Sequence, residues 1–173
     1  MKYMTALREP VRNRLELIEK ADLVVGIPCF NNQNTIAHVI NQTSLGLHQY
    51  FPEKRAVIMV SDGGSVDDSR EEAMAARVAP FQELLVSIYR GVPGKGSALR
   101  AVLEVAKILR AQACVVVDSD LRSITPQWIR NLLRPILQEK YQFVAPYYKR
   151  FKLDGTITNN IVYKLSLIHI SEP

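Results

Sequence analysis

Two carboxylates one residue apart, Asp118 and Asp120, directly follow the apolar run of residues 115–117. Carboxylate oxygens are ligands that hard divalent cations prefer, and such cations also bridge phosphate groups. A cation held here can act as a Lewis acid that neutralises a diphosphate leaving group. Because 23% of the residues are charged, such a triplet also arises by chance, and a solvated turn with a helix cap is the alternative interpretation. The position directly after a buried strand favours metal and nucleotide binding.

A glycine-rich turn spans residues 91–97 and leads into a predicted helix. Backbone N–H groups at a helix N-terminus, together with the helix dipole, favour an anion, and Lys95 adds a positive charge. The turn is not a Walker A loop, since its glycine spacing is one residue short and Gly96 separates Lys95 from Ser97. The alternative interpretation is a tight surface loop with an exposed lysine.

Two further polar segments follow predicted strands. In residues 61–65 the glycines permit close backbone approach to a flat ligand, and Asp62 can accept hydrogen bonds from a base or ribose. In residues 28–32, Phe30 and two amide side chains can line a base pocket. A turn with an N-capping acid and an ordinary loop are the respective alternatives. We do not expect Cys29 to act as a nucleophile, because no histidine lies nearby in sequence to activate it.

Hydrophobic periodicity predicts helices that alternate with strands, with Thr35 and Thr125 as N-caps of two of the helices. The predicted helices cover residues 11–20, 35–47, 67–78, 97–112 and 125–139, and the predicted strands cover residues 22–27, 56–60, 84–89, 114–117 and 142–147. Strands without polar alternation predict an α/β fold whose mainly parallel sheet carries helices on both faces. Because crossovers are right-handed, ligands bind along the one edge where the strands end. We therefore expect the polar segments to converge on one cleft.

The overall composition is that of an ordinary globular chain, with 173 residues, 47% of them hydrophobic, and a net charge of +5. The positive charge favours anionic small molecules, or loose contact with a membrane surface. Basic residues are scattered along the chain, which argues against nucleic-acid binding. No apolar run approaches the roughly 20 residues that span a bilayer, and the amino terminus lacks the apolar core of a signal peptide. With two cysteines interpreted as free thiols, these features predict a cytoplasmic protein.

Four motifs follow one another along the chain: Val-Gly-Ile-Pro-Cys-Phe-Asn-Asn at residues 25–32, Ser-Asp-Gly-Gly-Ser-Val-Asp-Asp at 61–68, Gly-Lys-Gly-Ser-Ala-Leu at 94–99 and Asp-Ser-Asp-Leu at 118–121. This series resembles the family 2-like GT-A glycosyltransferases, nearest the branch of the glucosyl-3-phosphoglycerate and mannosylglycerate synthases. The likeness covers roughly residues 22–165. It implies a Rossmann-like GT-A fold, incomplete at the C-terminus of this chain. It also implies hexose transfer from a UDP- or GDP-linked sugar to an unknown small-molecule or glycan acceptor.

The resemblance implies roles for single residues. Asp118 and Asp120 would hold the divalent metal, Mg²⁺ or Mn²⁺, and the diphosphate. Lys95 would contact a phosphate or the base, and Asp62 would bind the edge of uracil or guanine. Asn32 stands where the family usually has an acid, which weakens the implied ribose contact. In full, the implied nucleotide-sugar site comprises Pro28, Cys29, Phe30, Asn32, Asp62, Gly63, Lys95, Asp118, Ser119 and Asp120.

On the acceptor side the resemblance points to Gly155 and Thr158. Thr156 stands where the branch has an arginine, the natural clamp for carboxylate and phosphate, and this argues against a phosphorylated acceptor. Residues 166–173 depart from the family pattern and are interpreted as a non-native tail, so that residues 1–165 form the donor-binding part of a longer enzyme. The catalytic base or stabilising groups would then lie beyond that part. The residues that determine whether the anomeric configuration of the sugar is retained or inverted would also lie there.

Two other functions stay open at this point. The chain can be a non-catalytic module that binds a nucleotide sugar, and a test for sugar turnover would separate this module from an enzyme. It can also be a sugar-phosphate nucleotidyltransferase, although those enzymes need a glycine-rich Arg/Lys loop directly after the first strand, which residues 26–30 lack. Among protein partners, a second copy of the chain in a homodimer also stays open.

Overall fold

The computed structural model describes residues 5–146 of the chain, in which helices alternate with strands. Helices α1 to α5 span Glu9–Ile18, Ile36–Tyr50, Ser69–Ala75, Lys95–Ile108 and Pro126–Glu139, and strands β1 to β4 span Leu23–Cys29, Ala56–Asp62, Gln82–Ile88 and Ala113–Val116. The predicted α/β alternation is confirmed in these residues. The prediction that Ser97 caps the fourth helix is wrong, because α4 begins at Lys95 and its N-cap is Gly94, with a φ of +139°.

All the strands of this part of the chain run parallel in one sheet, in the order β3-β2-β1-β4. Leu23 at the start of β1 is paired with Ala56 on one side and with Ala113 on the other, and Ala56 is paired with Gln82. The strands therefore start abreast, and their carboxyl ends lie along one edge. Because β1 lies between β2 and β4, the loop that follows β1 has the loops after both of these strands as neighbours.

Helices cover both faces of the sheet, as predicted. Val25 and Ile27 of β1 belong to a buried cluster with α2 and α5 on one face, whereas Val24 belongs to a second cluster with α1 and α4 on the other face. Strand β1 is buried along its whole length. Burial on both faces explains why its sequence is apolar without polar alternation.

The face covered by α4 requires a glycine in β1. A Cβ atom on Gly26 would lie 2.2 Å from Cγ1 of Val102, so a side chain does not fit between this strand and the helix. Helix α4 therefore packs directly against β1. This close packing places the first residue of α4, Lys95, at the carboxyl edge of the sheet.

The predicted fifth strand is wrong over residues 142–146, which adopt no strand conformation, while Tyr147 lies outside the described residues. Residues 142–146 lie beside β4 and α5, and the side chain of Phe143 is 81% exposed. A strand needs a neighbour that satisfies its backbone hydrogen bonds, and none of residues 5–146 supplies one here. An apolar run of this length therefore did not suffice to predict the strand.

Both cysteines are free thiols, as predicted: Cys29 is buried and Cys114 is partly buried. Neither forms a disulfide. None of the helices formed by residues 5–146 has the length and apolar character that crossing a bilayer requires.

Candidate functional site

The loops that follow the strands enclose a cleft of about 530 Å³ at the carboxyl edge of the sheet. Small-molecule sites in proteins have volumes of roughly 300–1,000 Å³. The cleft is lined by Pro28, Cys29, Phe30, Asn32, Gly63, Tyr89, Pro93, Gly94, Lys95, Ala98, Asp118, Ser119 and Asp120. The convergence predicted from parallel topology is thus observed, since the lining comes from segments that follow all the strands of the sheet.

Most of the residues predicted for the nucleotide-sugar site line this cleft. They are Pro28, Cys29, Phe30, Asn32, Gly63, Lys95, Asp118, Ser119 and Asp120. Asp62 is not among the lining residues, and the acceptor candidates Gly155 and Thr158 lie outside the described residues. Sequence reasoning missed the lining residues Tyr89, Pro93, Gly94 and Ala98. For Tyr89 a signal was available, because it lies directly after β3 at the same edge of the sheet.

The carboxylates of Asp118 and Asp120 both contribute to the cleft wall. Within residues 5–146, His, Cys, Asp and Glu side chains nowhere gather in groups of three or more that could hold a metal ion. Two carboxylates instead fit a cation that completes its coordination shell with diphosphate oxygens and water, as Mg²⁺ commonly does. An all-oxygen donor set also suits Mg²⁺ or Mn²⁺ better than Zn²⁺, which favours nitrogen and sulfur.

Lys95 and Asp118 form an ion pair across the cleft. Nζ of Lys95, the first residue of α4, lies 2.5 Å from Oδ1 of Asp118. The side chains are 60% and 49% exposed, respectively, so both groups remain accessible to a ligand. A lysine at this position adds its charge to the positive end of the helix dipole. The cleft therefore holds a positive group at a helix N-terminus in direct contact with one of its two acids.

The glycine-rich turn before α4 is held in place by Tyr89. The backbone N–H of Gly94 donates a 2.8 Å hydrogen bond to Oη of Tyr89, a side chain that is only 8% exposed. Gly94 itself has a φ of +139°, a conformation that residues with a Cβ atom rarely adopt. The hydrogen bond and the glycine together determine the path by which the chain reaches Lys95.

The loop after β1 is bound to the loop after β2 by hydrogen bonds in both directions. The N–H of Asn31 donates to Oγ of Ser65 at 2.9 Å, and the N–H of Val66 donates to Oδ1 of Asn31 at 3.0 Å. Next to them, the N–H of Asn32 donates to Oγ of Ser69 at 2.7 Å. Because side chains of each loop satisfy the backbone of the other, this wall of the cleft is preorganised.

Ser119 ties the loop after β4 to the loop after β1. Its Oγ donates a 2.6 Å hydrogen bond to Oδ1 of Asn32, and its carbonyl oxygen accepts a 2.8 Å hydrogen bond from Oγ1 of Thr35. Thr35 is the N-cap of α2, as predicted, but its side chain makes no capping hydrogen bond and forms this link instead. Ser119 is 5% exposed and lies between Asp118 and Asp120, so the link holds the backbone that carries both acids.

The carboxylate of Asp62 is used inside its own loop. It accepts hydrogen bonds of 2.9 Å from the N–H groups of Gly64 and Ser65, and one of 2.5 Å from Oγ of Ser65. The residue is fully buried, with Arg70 Nε 3.9 Å away. The predicted contact between Asp62 and a base stays a prediction, and it would require the carboxylate to turn away from these donors.

The thiol of Cys29 lies in the wall of the cleft next to this carboxylate. Burial raises the pKa of Cys29, and the negative charge of Asp62 raises it further. The sulfur is therefore a protonated thiol at neutral pH, which is a weak nucleophile. This agrees with the expectation that Cys29 lines the site rather than reacting there.

The chain is similar to known proteins in two ways: its sequence matches a protein family, and its fold matches solved structures. Residues 24–169 match glycosyl transferase family 2. No curated protein sequence matches the chain. Glucosyl-3-phosphoglycerate synthase from Mycobacterium tuberculosis, in complex with Mn²⁺, UDP and glucosyl-3-phosphoglycerate, is similar with a TM-score of 0.64 and 22% identity, over 98% of this chain and 56% of that chain. The same enzyme in complex with phosphoglyceric acid is similar with a TM-score of 0.60 and 23% identity, over 97% of this chain and 58% of that chain.

At these identities the structural likeness concerns the fold, and it confirms the predicted Rossmann-like GT-A architecture. The chain spans 56% of the length of the first of these structures and 58% of the second. The family match is of a different kind, because it rests on the sequence and covers most of the chain, including every residue that lines the cleft. The chain belongs to glycosyl transferase family 2.

Proposed function

We propose that this chain binds a nucleoside-diphosphate sugar, UDP- or GDP-linked, together with a divalent cation, and forms the donor site of a glycosyltransferase that moves a hexose. The observation that carries the proposal is the meeting of Asp118 and Asp120 with Lys95 in one cleft of nucleotide size. Membership in glycosyl transferase family 2 supports the reaction class. Crystals of the structurally similar synthase that contain Mn²⁺ and UDP support the choice of ligands.

The phosphates would bind at the N-terminus of α4. Lys95 supplies a full positive charge there, and the first N–H groups of the helix have no partner within the helix. A diphosphate carries the negative charge that both features favour. Lys95 would therefore neutralise the charge that develops on the leaving group when the sugar is transferred.

The base and ribose would bind against the loop after β1. Phe30 is 59% exposed and offers its ring to a flat ligand. A Cβ atom on Gly63 would lie 3.1 Å from Cδ2 of Phe30, so the glycine keeps this wall open beside the ring. Asn32 uses its Oδ1 within the protein, which leaves the amide nitrogen as the group that can donate to a ribose oxygen.

Asp118 and Asp120 would hold the cation, either Mg²⁺ or Mn²⁺, at the diphosphate. When bound, such a cation supplies Lewis-acid stabilisation of the departing diphosphate. The contribution of the chain itself is to hold the backbone between the two acids through Ser119, whose side chain and carbonyl are both hydrogen-bonded. This tether keeps that backbone in place without help from a ligand.

The acceptor would bind to a different part of the chain from the donor. Gly155 and Thr158 remain the proposed acceptor contacts, and residues 1–165 the proposed donor-binding unit. The chain spans about half the length of the similar structures, so the activity of a whole enzyme is itself part of the proposal. Transfer to a small molecule or a glycan is therefore tested only after donor binding.

Calorimetric titration of the chain with UDP- and GDP-sugars, with and without Mn²⁺ or Mg²⁺, tests the donor site. We expect metal-dependent binding that Asp120→Asn weakens at least about tenfold, the lower end of what partners of a metal site contribute. The matched control is Glu53→Gln, because Glu53 is an exposed acid outside the cleft. Equal affinities of Asp120→Asn and the wild type for every donor would overturn the metal assignment.

Sugar turnover distinguishes an enzyme from a binding module. The assay measures release of UDP or GDP from the bound donor in the presence of the cation. A glycosyltransferase is expected to release the nucleotide slowly even without an acceptor, because water can take the place of the acceptor. Binding without any release, even with candidate acceptors added, would show that this chain by itself acts as a nucleotide-sugar-binding module. Formation of a nucleotide sugar from a nucleoside triphosphate and a sugar phosphate would instead identify a nucleotidyltransferase.

A further inference from the structure

The ion pair between Lys95 and Asp118 occupies one of the two oxygens that Asp118 can offer a metal. Nζ of Lys95, the first residue of α4, lies 2.5 Å from Oδ1 of Asp118 in the loop after β4, and both residues line the same cleft. Mg²⁺ binds carboxylate oxygens at about 2.0–2.1 Å. An ammonium group and a divalent cation on one oxygen would therefore be within a few ångströms of each other and repel strongly.

We propose that Lys95 makes the cleft selective for a cation–diphosphate chelate over the free cation. The inference rests on the proposed function, since it concerns the same donor site. A free cation on Asp118 either lies close to the Lys95 ammonium or displaces it, and a displaced ammonium is left at the positive end of α4 without an anion. A chelate brings its own anion, which pairs with Lys95 while the cation binds Asp118.

The exposure of the pair makes this exchange feasible. The Lys95 and Asp118 side chains are 60% and 49% exposed, and pairs of this kind contribute little to folding stability. The lysine stem is also flexible, so its ammonium group can move from a carboxylate to a phosphate without backbone rearrangement. Selectivity thus comes from which anion Lys95 pairs with, while the fold stays the same.

Lys95→Met should change two affinities in opposite directions: the affinity for Mn²⁺ alone and the affinity for nucleotide in the presence of Mn²⁺. The affinity for Mn²⁺ alone can be measured from the loss of the electron paramagnetic resonance signal of the free ion. It should become about two- to fivefold tighter because the competing Lys95 ammonium is gone. Binding of UDP or GDP at saturating Mn²⁺ should become roughly tenfold weaker because a charged hydrogen-bond donor to the diphosphate is lost. A lysine that merely stabilised the fold would not move the two affinities in opposite directions.

A matched control separates the ion pair from the general effect of removing a positive charge. Arg122 is exposed and lies two residues beyond Asp120, so Arg122→Met removes one positive charge near the acids. It should tighten Mn²⁺ binding less than Lys95→Met does. Asp118→Asn supplies the second control, because in that background Lys95→Met should no longer tighten Mn²⁺ binding.

The outcomes separate this inference from the proposed function. Detectable Mn²⁺ binding by Lys95→Met, with none by the wild type, supports the inference. Suppose that nucleotides bind with Mn²⁺. The inference is then overturned if Lys95→Met binds Mn²⁺ alone no more tightly than the wild type does. It is also overturned if Lys95→Met binds Mn²⁺ alone no more tightly than Arg122→Met does. If none of the folded variants binds either nucleotide, the donor site itself fails, and the chelate model fails with it.

Discussion

The hydroxyl group of Ser119 donates a 2.6 Å hydrogen bond to Oδ1 of Asn32, a residue 87 positions earlier in the chain. This bond joins the loop that carries both acids of the cleft to the loop that carries its aromatic wall. Ser119 is 5% exposed, so water cannot easily replace the bond. The two halves of the candidate site are therefore positioned by each other and not only by the sheet beneath them.

Removal of this hydrogen bond should weaken donor binding more than it weakens the fold. Ser119→Ala is expected to lower the metal-dependent affinity for UDP or GDP about two- to tenfold, which is the usual net value of one hydrogen bond. The loop that bears Asp118 and Asp120 then loses its link to Asn32 and keeps the one through Thr35. Calorimetric titration at saturating Mn²⁺ measures the change.

Ser87→Ala is the matched control for this prediction. The hydroxyl of Ser87 donates only a 3.3 Å bond to the neighbouring carbonyl of Ile88, and the residue does not line the cleft. Its removal should leave nucleotide affinity unchanged. The proposed role of Ser119 fails if Ser119→Ala and Ser87→Ala bind the nucleotide equally well.

Tyr89→Phe should loosen the glycine-rich turn while preserving the packing of the ring. The backbone N–H of Gly94 loses its acceptor, so the turn that leads to Lys95 is no longer held in one conformation. We expect nucleotide affinity to fall about two- to tenfold and amide hydrogen exchange at Gly94 to accelerate. Tyr141→Phe, at a tyrosine that is 59% exposed, provides the control. Unchanged exchange at Gly94 would show that the tyrosine does not hold the turn.

Gly26→Ala should destabilise the protein, because the new methyl group would meet Val102 at 2.2 Å. Overpacking of this kind costs about 1–3 kcal/mol in the free energy of unfolding. Urea denaturation measures the loss, and Val102→Ala in the same chain should recover part of it. Gly96→Ala is the opposite control, since no atom lies within 4 Å of its added Cβ and alanine favours a helix by about 0.5–1 kcal/mol. Equal stability of Gly26→Ala and the wild type would contradict the close packing of α4 on β1.

Stability should fall at alkaline pH through Cys114. Burial raises the pKa of this thiol from 9.0 to about 11. Between these values the unfolded chain loses its proton and the folded chain keeps it, so the unfolded state binds fewer protons and the free energy of unfolding decreases as pH rises. The contribution is fully present below about pH 9 and disappears as pH passes about 11.

Cys114→Ala isolates this contribution. The curve of unfolding free energy against pH should be flatter for the variant than for the wild type, by about 2 kcal/mol or less. All other residues are the same in both proteins, so their effect cancels in the difference. Parallel curves for the two proteins would show that Cys114 is not protected in the folded state.

Most of the cleft could be predicted from sequence because its residues stand at particular places in a repeating pattern. Lys95 and the acids at 118 and 120 each follow a predicted strand, and parallel topology brings such positions to one edge. Tyr89 was missed because its role depends on an N–H group five residues away, whose direction only the folded turn defines. The same limit applies to Asp62, which follows a strand but directs its carboxylate into its own loop.

The errors in the fold prediction have a related cause. Residues 142–146 are apolar enough for a strand, but a strand also needs a partner, and partners are a property of the assembled sheet. Contact between helices is likewise a property of the assembled fold, as Gly46 inside α2 shows. A Cβ atom there would approach the carbonyl oxygen of Pro126 to 2.8 Å, so this glycine permits contact between α2 and α5.

The sequence by itself determined the order of strands and helices, the parallel sheet and the set of segments that meet at its carboxyl edge. These follow from local apolar patterns and from the handedness of crossovers, which depend on short stretches of chain. Only the tertiary structure decided that Lys95 pairs with Asp118, that Ser119 binds Asn32 and that the Asp62 carboxylate binds donors of its own loop. The reason is that a hydrogen bond or an ion pair depends on where two side chains lie within about an ångström, and that is set by packing between distant parts of the chain.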